Sequence, residues 1–403
     1  MKILIALSFS PWPVTRGTDR LIVNLLRGLS RRHQVKLVTM VLERKGISAL
    51  RELEGDGITV EAMLAPQRKS VFHRVTLKFW NLLRSAVMRI PVQTLYAAPT
   101  SYLNLVAGTA RNWNPDLTIV NYWHLWELAE MLGGSEKALL THDLDFMNYP
   151  ERIRAENGRV RKMLSGYNFR IKTEAEMKAY RSFDRILTVT GKEAAELEQY
   201  LDETGKKIIP LPMAMDLEQF KPEESERPGN FILLMGVFYS DFNRDSLMYF
   251  LERIFPKIIG RKPDARLEIV GPGVPEGVAD SLYERGVVRG RVDDIAVYLR
   301  DCAVMVLPLR FAAGVRIRML EAAAAGTPVV STSAGVAGLE IRSGVEYIQA
   351  DDPDEFSARV VELLEDRQLA VRIGMGARKW AEENISLSSY PDRLDAVLER
   401  LME

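Results

Sequence analysis

Residues 304–339 read VMVLPLRFAAGVRIRMLEAAAAGTPVVSTSAGVAGL, and the fold can be worked out from this stretch. Val304 to Leu307 is an unbroken apolar run ending at Pro308, the pattern of a strand buried on both faces of a parallel sheet. A loop containing Gly314 follows. From about Val315 to Ala325 the residues are good helix formers, with Gly326 where a C-terminal cap belongs. Val329-Val330-Ser331 is a second short strand. Strand, glycine-bearing loop, helix and strand make a βαβ unit. Its loop lies at the carboxyl end of a strand, where open α/β sheets bind ligands.

The polar residues of this unit narrow the ligand. Gly314 lets the backbone approach a ligand closely, and the helix N-terminus behind it offers N–H groups and partial positive charge. Arg316 and Arg318 fall in the first turn of that helix, where cations oppose the dipole, so a bound anion accounts for them. Glu321, one turn further on, can accept hydrogen bonds from a diol such as a ribose. The alternative is a surface loop with solvated arginines, Glu321 pairing with Arg316 or Arg318.

Leu320-Glu321-Ala322 followed by Gly326-Thr327-Pro328-Val329-Val330-Ser331 resembles the C-terminal signature of the retaining glycosyltransferases of family four, which have the GT-B fold. The resemblance implies an α/β architecture of two facing doubly wound Rossmann-like domains with a cleft between them. In that family a second glutamate, which touches the donor sugar, precedes the first by eight positions; here that position is Ala313. Gly314-Val315-Arg316-Ile317-Arg318 is similar to a subgroup's Gly-x-Gly-Thr-Arg-x-Lys turn, with arginine in place of lysine.

Length and composition agree with such an architecture. At 403 residues the chain suits two domains of roughly 200 residues. A hydrophobic share of 47% with 27% charged residues is that of a soluble globular protein. The single cysteine, Cys302, rules out an intramolecular disulfide framework and points to the cytoplasm. Four scattered histidines give no zinc spacing, so no metal is expected. Lys2 to Ser8 is read as a buried strand, not a secretory signal, and no run has the length of a membrane span.

Along the chain, a βαβ opening places Gly17 at the first loop-to-helix junction; by resemblance it lines the cleft near donor phosphates or acceptor. From Ala62 to Pro115 there is no acidic residue. Within that stretch Arg68, Lys69, Arg74, Lys78, Arg84 and Arg89 interleave with apolar residues at helical spacing. Such a basic amphipathic segment suits an anionic membrane interface, on the inner face of a cell membrane, and a lipid-linked or membrane-proximal acceptor. An ordinary helix with a solvated basic face is the other reading. The net charge of zero and the lack of a nucleic-acid motif argue against nucleic acid.

His142 falls just past the strand Ala138 to His142; by resemblance it touches the transferring sugar, with His124 as competitor. Ile153 to Tyr180 reads as a long basic helix. Asp184 to Thr190 resembles a family strand, and Ile208 to Phe220 its interdomain linker. The first domain is therefore set at 1–190 and the second at 191–385, with a last helix, about 386–403, returning to the first.

In the second domain Gly236 ends the strand Phe231 to Met235. By resemblance Asn243-Arg244 answers to the subgroup's Pro-Asn step, with Arg244 a phosphate ligand. Gly271 ends the strand Arg266 to Val270 and is counted with the donor site; Glu276 stands where a dinucleotide fingerprint needs glycine. Gly290-Arg291-Val292 resembles the turn that meets the nucleotide base. Expected catalytic residues are His142, Arg316 and Glu321. The expected donor site is Gly17, Gly236, Asn243, Arg244, Gly271, Arg291, Val292, Gly314, Val315, Arg316, Arg318 and Glu321. The expected activity is that of a hexosyltransferase using a nucleotide diphosphate sugar, with no cofactor, in cell-surface polysaccharide or glycolipid assembly. A nucleotide-sugar epimerase of the same fold and a non-catalytic transferase-like partner are the alternatives.

Overall fold

The computed structural model describes residues 1–14, 17–66, 80–81, 83–85, 87–147, 159–201, 205–221, 231–311 and 317–403. The chain divides into two compact units, Met1–Pro212 with Tyr390–Glu403, and Met213–Ser389.

The first unit is built on a seven-stranded sheet in the order β3-β2-β1-β4-β5-β6-β7. The strands are β1 (Lys2–Leu7), β2 (Gln34–Val41), β3 (Ile58–Leu64), β4 (Leu117–Asn121), β5 (Glu136–Leu140), β6 (Arg185–Thr188) and β7 (Lys207–Pro210). All pairs are parallel. Parallel neighbours need a crossover between them, and helices such as Gly17–Ser30, Thr100–Trp113 and Arg159–Ser182 supply the longer ones. Ile3 to Leu7 have no exposed surface, which is why β1 reads as a continuous apolar run.

The boundary differs from the one set at residue 190. Ile208-Ile209 looked like a linker, but the pair forms β7 beside β6, with Ile186↔Ile208 and Leu187↔Ile209 in register. Helix Gly191–Leu201 connects the two strands and so belongs to the first unit as well. Thr190 and Glu193 start that helix: Glu193 N–H donates to Thr190 Oγ1 at 3.0 Å, and Thr190 N–H to Glu193 Oε2 at 3.2 Å. This reciprocal capping box satisfies two N–H groups that the helix leaves unpaired.

Helix Tyr390–Met402 packs on the first unit. It can approach helix Gly17–Ser30 because Gly28 has no side chain: a Cβ there would lie 2.7 Å from both Leu394 and Tyr390. Arg32 pairs with Asp392 and Asp395, His33 Nε2 sits 2.8 Å from Asp395 Oδ1, and Arg185 donates to the Leu401 carbonyl.

The second unit holds a six-stranded parallel sheet in the order β10-β9-β8-β11-β12-β13. Its strands are β8 (Phe231–Met235), β9 (Arg266–Val270), β10 (Gly286–Gly290), β11 (Val304–Leu307), β12 (Val329–Ser331) and β13 (Ile348–Gln349). Alternation along the central strands divides the core in two. Ile232, Leu234, Val304 and Val306 join one apolar layer, while Leu233, Met235, Met305 and Leu307 join the other. Helices therefore cover both faces, as a doubly wound sheet requires. Three of them carry aspartate caps: Asp294 accepts from Ala296 N–H, Asp352 from Asp354 and Glu355, and Asp366 from Leu369. The stretch read as one helix from Leu247 to Ile259 is interrupted by a π turn at Phe250–Ile254. Pro256 has no N–H to continue the ladder, so the hydrogen-bond step widens just before it.

Candidate functional site

In each unit the glycines and polar side chains gather at the carboxyl edge of the sheet. In the second unit, where β8 and β11 are neighbours, the strand order reverses direction, the place where such sheets bind ligands. Gly236 follows β8 and Gly271 follows β9. Gly271 has φ +128°, and a Cβ there would meet the Gly236 oxygen at 1.8 Å, so the two turns touch main chain to main chain. Gly236 N–H donates to Val270 at 2.9 Å and Gly271 N–H to Gly290 at 2.6 Å, which brings the turn carrying Arg291 and Val292 alongside.

Helix Ile317–Ala324 reaches into the same corner. The Arg318 guanidinium donates to the main-chain oxygen of Met235 and, at 2.6 Å, to Asn243 Oδ1; Asn243 Nδ2 in turn donates to Val237 O at 2.9 Å. Gly236 is small for the same reason, since a Cβ would lie 2.8 Å from Arg318 Nη1. Gly236, Asn243, Gly271 and Arg318 thus form one contact cluster, with Val292 half-buried and Arg291 exposed at its rim. Arg318, expected at the diphosphate, ties strand end to helix start. Arg244 is exposed on helix Asp241–Tyr249. Glu321, one turn beyond Arg318, is buried at 7% exposure, as a residue aimed inward from an alanine-rich helix must be. Gly314, Val315 and Arg316 lie outside the described residues, as does most of the segment from Arg68 to Arg89.

In the first unit Gly17 opens helix Gly17–Ser30 as expected, and His142 follows β5. His142 Nε2 lies 2.7 Å from Asn121 Oδ1. With Asn121 Oδ1 as the acceptor, the bond selects the tautomer with the proton on Nε2 and the lone pair on Nδ1. Burial lowers His142 to about 4, which keeps the ring neutral. His124, the competitor, is also lowered to about 4 by burial, and its Nδ1 sits 3.1 Å from Thr94 Oγ1. The buried Nδ2 of Asn121 has no acceptor among the described residues.

Around His142 stand residues that sequence reading did not assign. Tyr122 has φ +78° and ψ 146°, a backbone region that only glycine enters without strain. Its N–H bonds Leu140 O at 2.8 Å and its hydroxyl donates to Asp145 Oδ2 at 2.8 Å, which over-determine the conformation. Trp123 Nε1 donates to the same oxygen at 3.2 Å. Beneath them lies Glu176, with no exposed surface. Burial first, and then the Asp145 charge, push its carboxyl up to about 8. The aromatic run Tyr122-Trp123-His124 directly after a strand is the signal that could have found this group.

Residues 229–366 match the family model described as Glycosyl transferases group 1. An uncharacterized 44.6 kDa protein in the cps region of Klebsiella pneumoniae is 23% identical over 264 residues, 63% of this chain and 66% of that protein. A phosphatidyl-myo-inositol mannosyltransferase of Mycolicibacterium smegmatis is 28% identical over 189 residues, 44% of this chain and 48% of that one. The chain spans about half to two thirds of the length of these curated relatives. Among solved structures, Anabaena HepE in complex with UDP superposes with a TM-score of 0.68 at 15% identity, covering 99% of this chain and 100% of that chain. The match over residues 229–366 gives the chain a domain similar to the glycosyl transferases group 1 family, and the chain has the GT-B fold.

Proposed function

We propose that the protein transfers a sugar, with retention, from a nucleotide diphosphate sugar to an acceptor hydroxyl. The observation that carries this reading is the convergence of Gly236, Gly271, Asn243 and Arg318 at the strand-order reversal of the second sheet, inside the matched domain. Two turns that touch without side chains leave room for a diphosphate to approach the main chain closely. Arg318 fixes that geometry, and Arg316, Arg244 and the N–H groups at the helix start would supply the positive charge. Such preorganised donors stabilise a departing diphosphate in the transition state, and this reading invokes no metal. The UDP bound to HepE, a protein of the same fold, supports a nucleotide donor.

Glu321 would hold the ribose and neutral His142 would accept a hydrogen bond from the sugar. The acceptor is proposed to be lipid-linked or membrane-proximal, in cell-surface polysaccharide or glycolipid assembly. A relative in a cps region and one named for phosphatidyl-myo-inositol support that choice. So do the exposed apolar residues Trp80, Leu83, Val87 and Met88 beside exposed Arg84 and Arg89. They suit a peripheral site on the inner face of a cell membrane. Among the described residues no helix is long and apolar enough to cross a membrane.

The test is to incubate the protein with a panel of nucleotide diphosphate sugars, with and without polyprenyl- and diacylglycerol-linked sugar acceptors. Sugar should appear on an acceptor with the donor's anomeric configuration. Altered donor without acceptor would mean epimerisation; nucleotide binding without any product would mean a non-catalytic protein.

A further inference from the structure

Residues 141–147, a turn that carries His142 and enters a helix at Asp145, meet one buried carboxylate on a distant helix, directly at the far end and through Tyr180 at the near end. At its far end, the N–H of Asp145 donates to Glu176 Oε1 at 2.9 Å and the N–H of Phe146 to Oε2 at 2.8 Å. At its near end, Tyr180 donates its hydroxyl to Glu176 Oε1 at 2.8 Å and lies 3.2 Å from Thr141 Oγ1, which itself bonds Asp143 O at 3.0 Å. From Asp145 the chain of contacts continues to His142. Asp145 Oδ2 receives the Tyr122 hydroxyl at 2.8 Å, and the Tyr122 ring neighbours the imidazole in an offset arrangement, centroids 6.2 Å apart and planes 29° from parallel. The imidazole closes the series on Asn121, the residue before Tyr122.

A buried carboxylate so close to a second one is costly, and an ordinary core would hold an apolar side chain here. Glu176 has instead a task that no apolar residue can do: it accepts the N–H groups of Asp145 and Phe146, which open a helix and so have no partner within it. We propose that Glu176 is a positioning residue for His142, acting through Asp145 and Tyr122 to fix the ring's place and its Nε2–H tautomer. This assignment rests on the reading of His142 as a sugar-contacting group.

The test is Glu176→Gln, because the amide keeps the shape but offers only one oxygen to three donors. With nitrogen-15-labelled histidine, the chain's four imidazoles can be followed by NMR. The native His142 should show a single Nε2–H form, and E176Q a tautomer mixture with shifted resonances. On the transferase reading, kcat should fall about tenfold to a hundredfold, the cost of a small misplacement, while UDP affinity stays within twofold. Glu174→Gln is the control: Glu174 is exposed on the same helix, pairs with Arg170, and should change neither. If E176Q does not fold, Tyr122→Phe removes the hydroxyl bond to Asp145, keeps the ring, and is put through the same measurements. Unchanged His142 signals in a folded E176Q or Y122F protein overturn the proposal. An equal loss of kcat and UDP affinity does so too, since that is general loosening. If the native protein transfers no sugar, the functional reading fails, and the NMR comparison still decides whether Glu176 positions the ring.

Discussion

A side chain on Gly271 would place its Cβ 1.8 Å from the main-chain oxygen of Gly236, closer than any non-bonded pair can come. The junction of these two turns therefore depends on a glycine for space as well as for its φ of +128°. Gly271→Ala is expected to cost about 3 kcal/mol or more in urea unfolding, combining overlap with backbone strain. Gly277, at φ +83° with open space around it, supplies the comparison. Gly277→Ala bears only the backbone cost of about 1 kcal/mol. Equal losses for the two variants would show that the close contact with Gly236 is relaxed in solution.

Arg318 gives a second expectation. Its planar fork reaches the Met235 carbonyl and Asn243 together, which the single ammonium of lysine cannot do. Arg318→Lys should lose one charge-assisted bond, about 1.5–3 kcal/mol, and weaken UDP binding because the Gly236 turn is no longer held. Normal stability with weaker UDP binding would instead make Arg318 a direct phosphate ligand.

The strands were legible because parallel strands buried on both faces are largely apolar, so β1, β8, β11 and β12 stand out as runs. The glycine-ended strands also pointed to the carboxyl edge of the second sheet, where Gly236, Gly271, Asn243 and Arg318 meet. Two things were hidden. Arg318's direction depends on Met235 and Asn243, which the fold brings from 83 and 75 residues away. Glu176 meets Asp145 across 31 residues, through a helix that folds back over the sheet. Spacing along a chain reports one element's periodicity, not which partner a crossover delivers. The boundary was misplaced for a related reason: the short Ile208-Ile209 pair gains strand identity only from its neighbour β6.

Glu193 makes stability depend on pH. Burial first, and then the Asp143 charge, raise its carboxyl to about 7, outweighing the bonds from Thr190. The folded state therefore favours the protonated form. The resulting stabilisation is full below the unfolded value of about 4.3 and is lost as pH rises through 7. Glu193→Gln keeps an acceptor for the capping box and cannot ionise. The difference in unfolding free energy, variant minus native, should rise by ~2 kcal/mol between pH 5 and 8. A difference that stays flat across that range would remove Glu193 as the source.

The proposed membrane contact predicts that the protein sediments with phosphatidylglycerol vesicles at low salt. Each basic side chain near the surface adds about 1 kcal/mol. Replacing Arg74, Lys78 and Arg84 with glutamine should reduce vesicle binding by about a hundredfold while the unfolding midpoint is unchanged. Equal sedimentation of native and substituted protein would remove the membrane from the functional reading.

Glu321 is buried one turn into helix Ile317–Ala324. A ribose diol would supply two hydrogen bonds, both charge-assisted. Glu321→Gln keeps the volume and removes the charge, so the affinity for a nucleoside diphosphate sugar should fall by about 2 kcal/mol if one such bond is lost. A 2′,3′-dideoxy donor lacks those bonds already, and the substitution should cost it almost nothing. Were Glu321 only balancing a nearby arginine, both donors would lose affinity equally. Calorimetric titration of the two donors into the two proteins therefore separates a ribose ligand from a structural counter-charge, and it does so without requiring turnover.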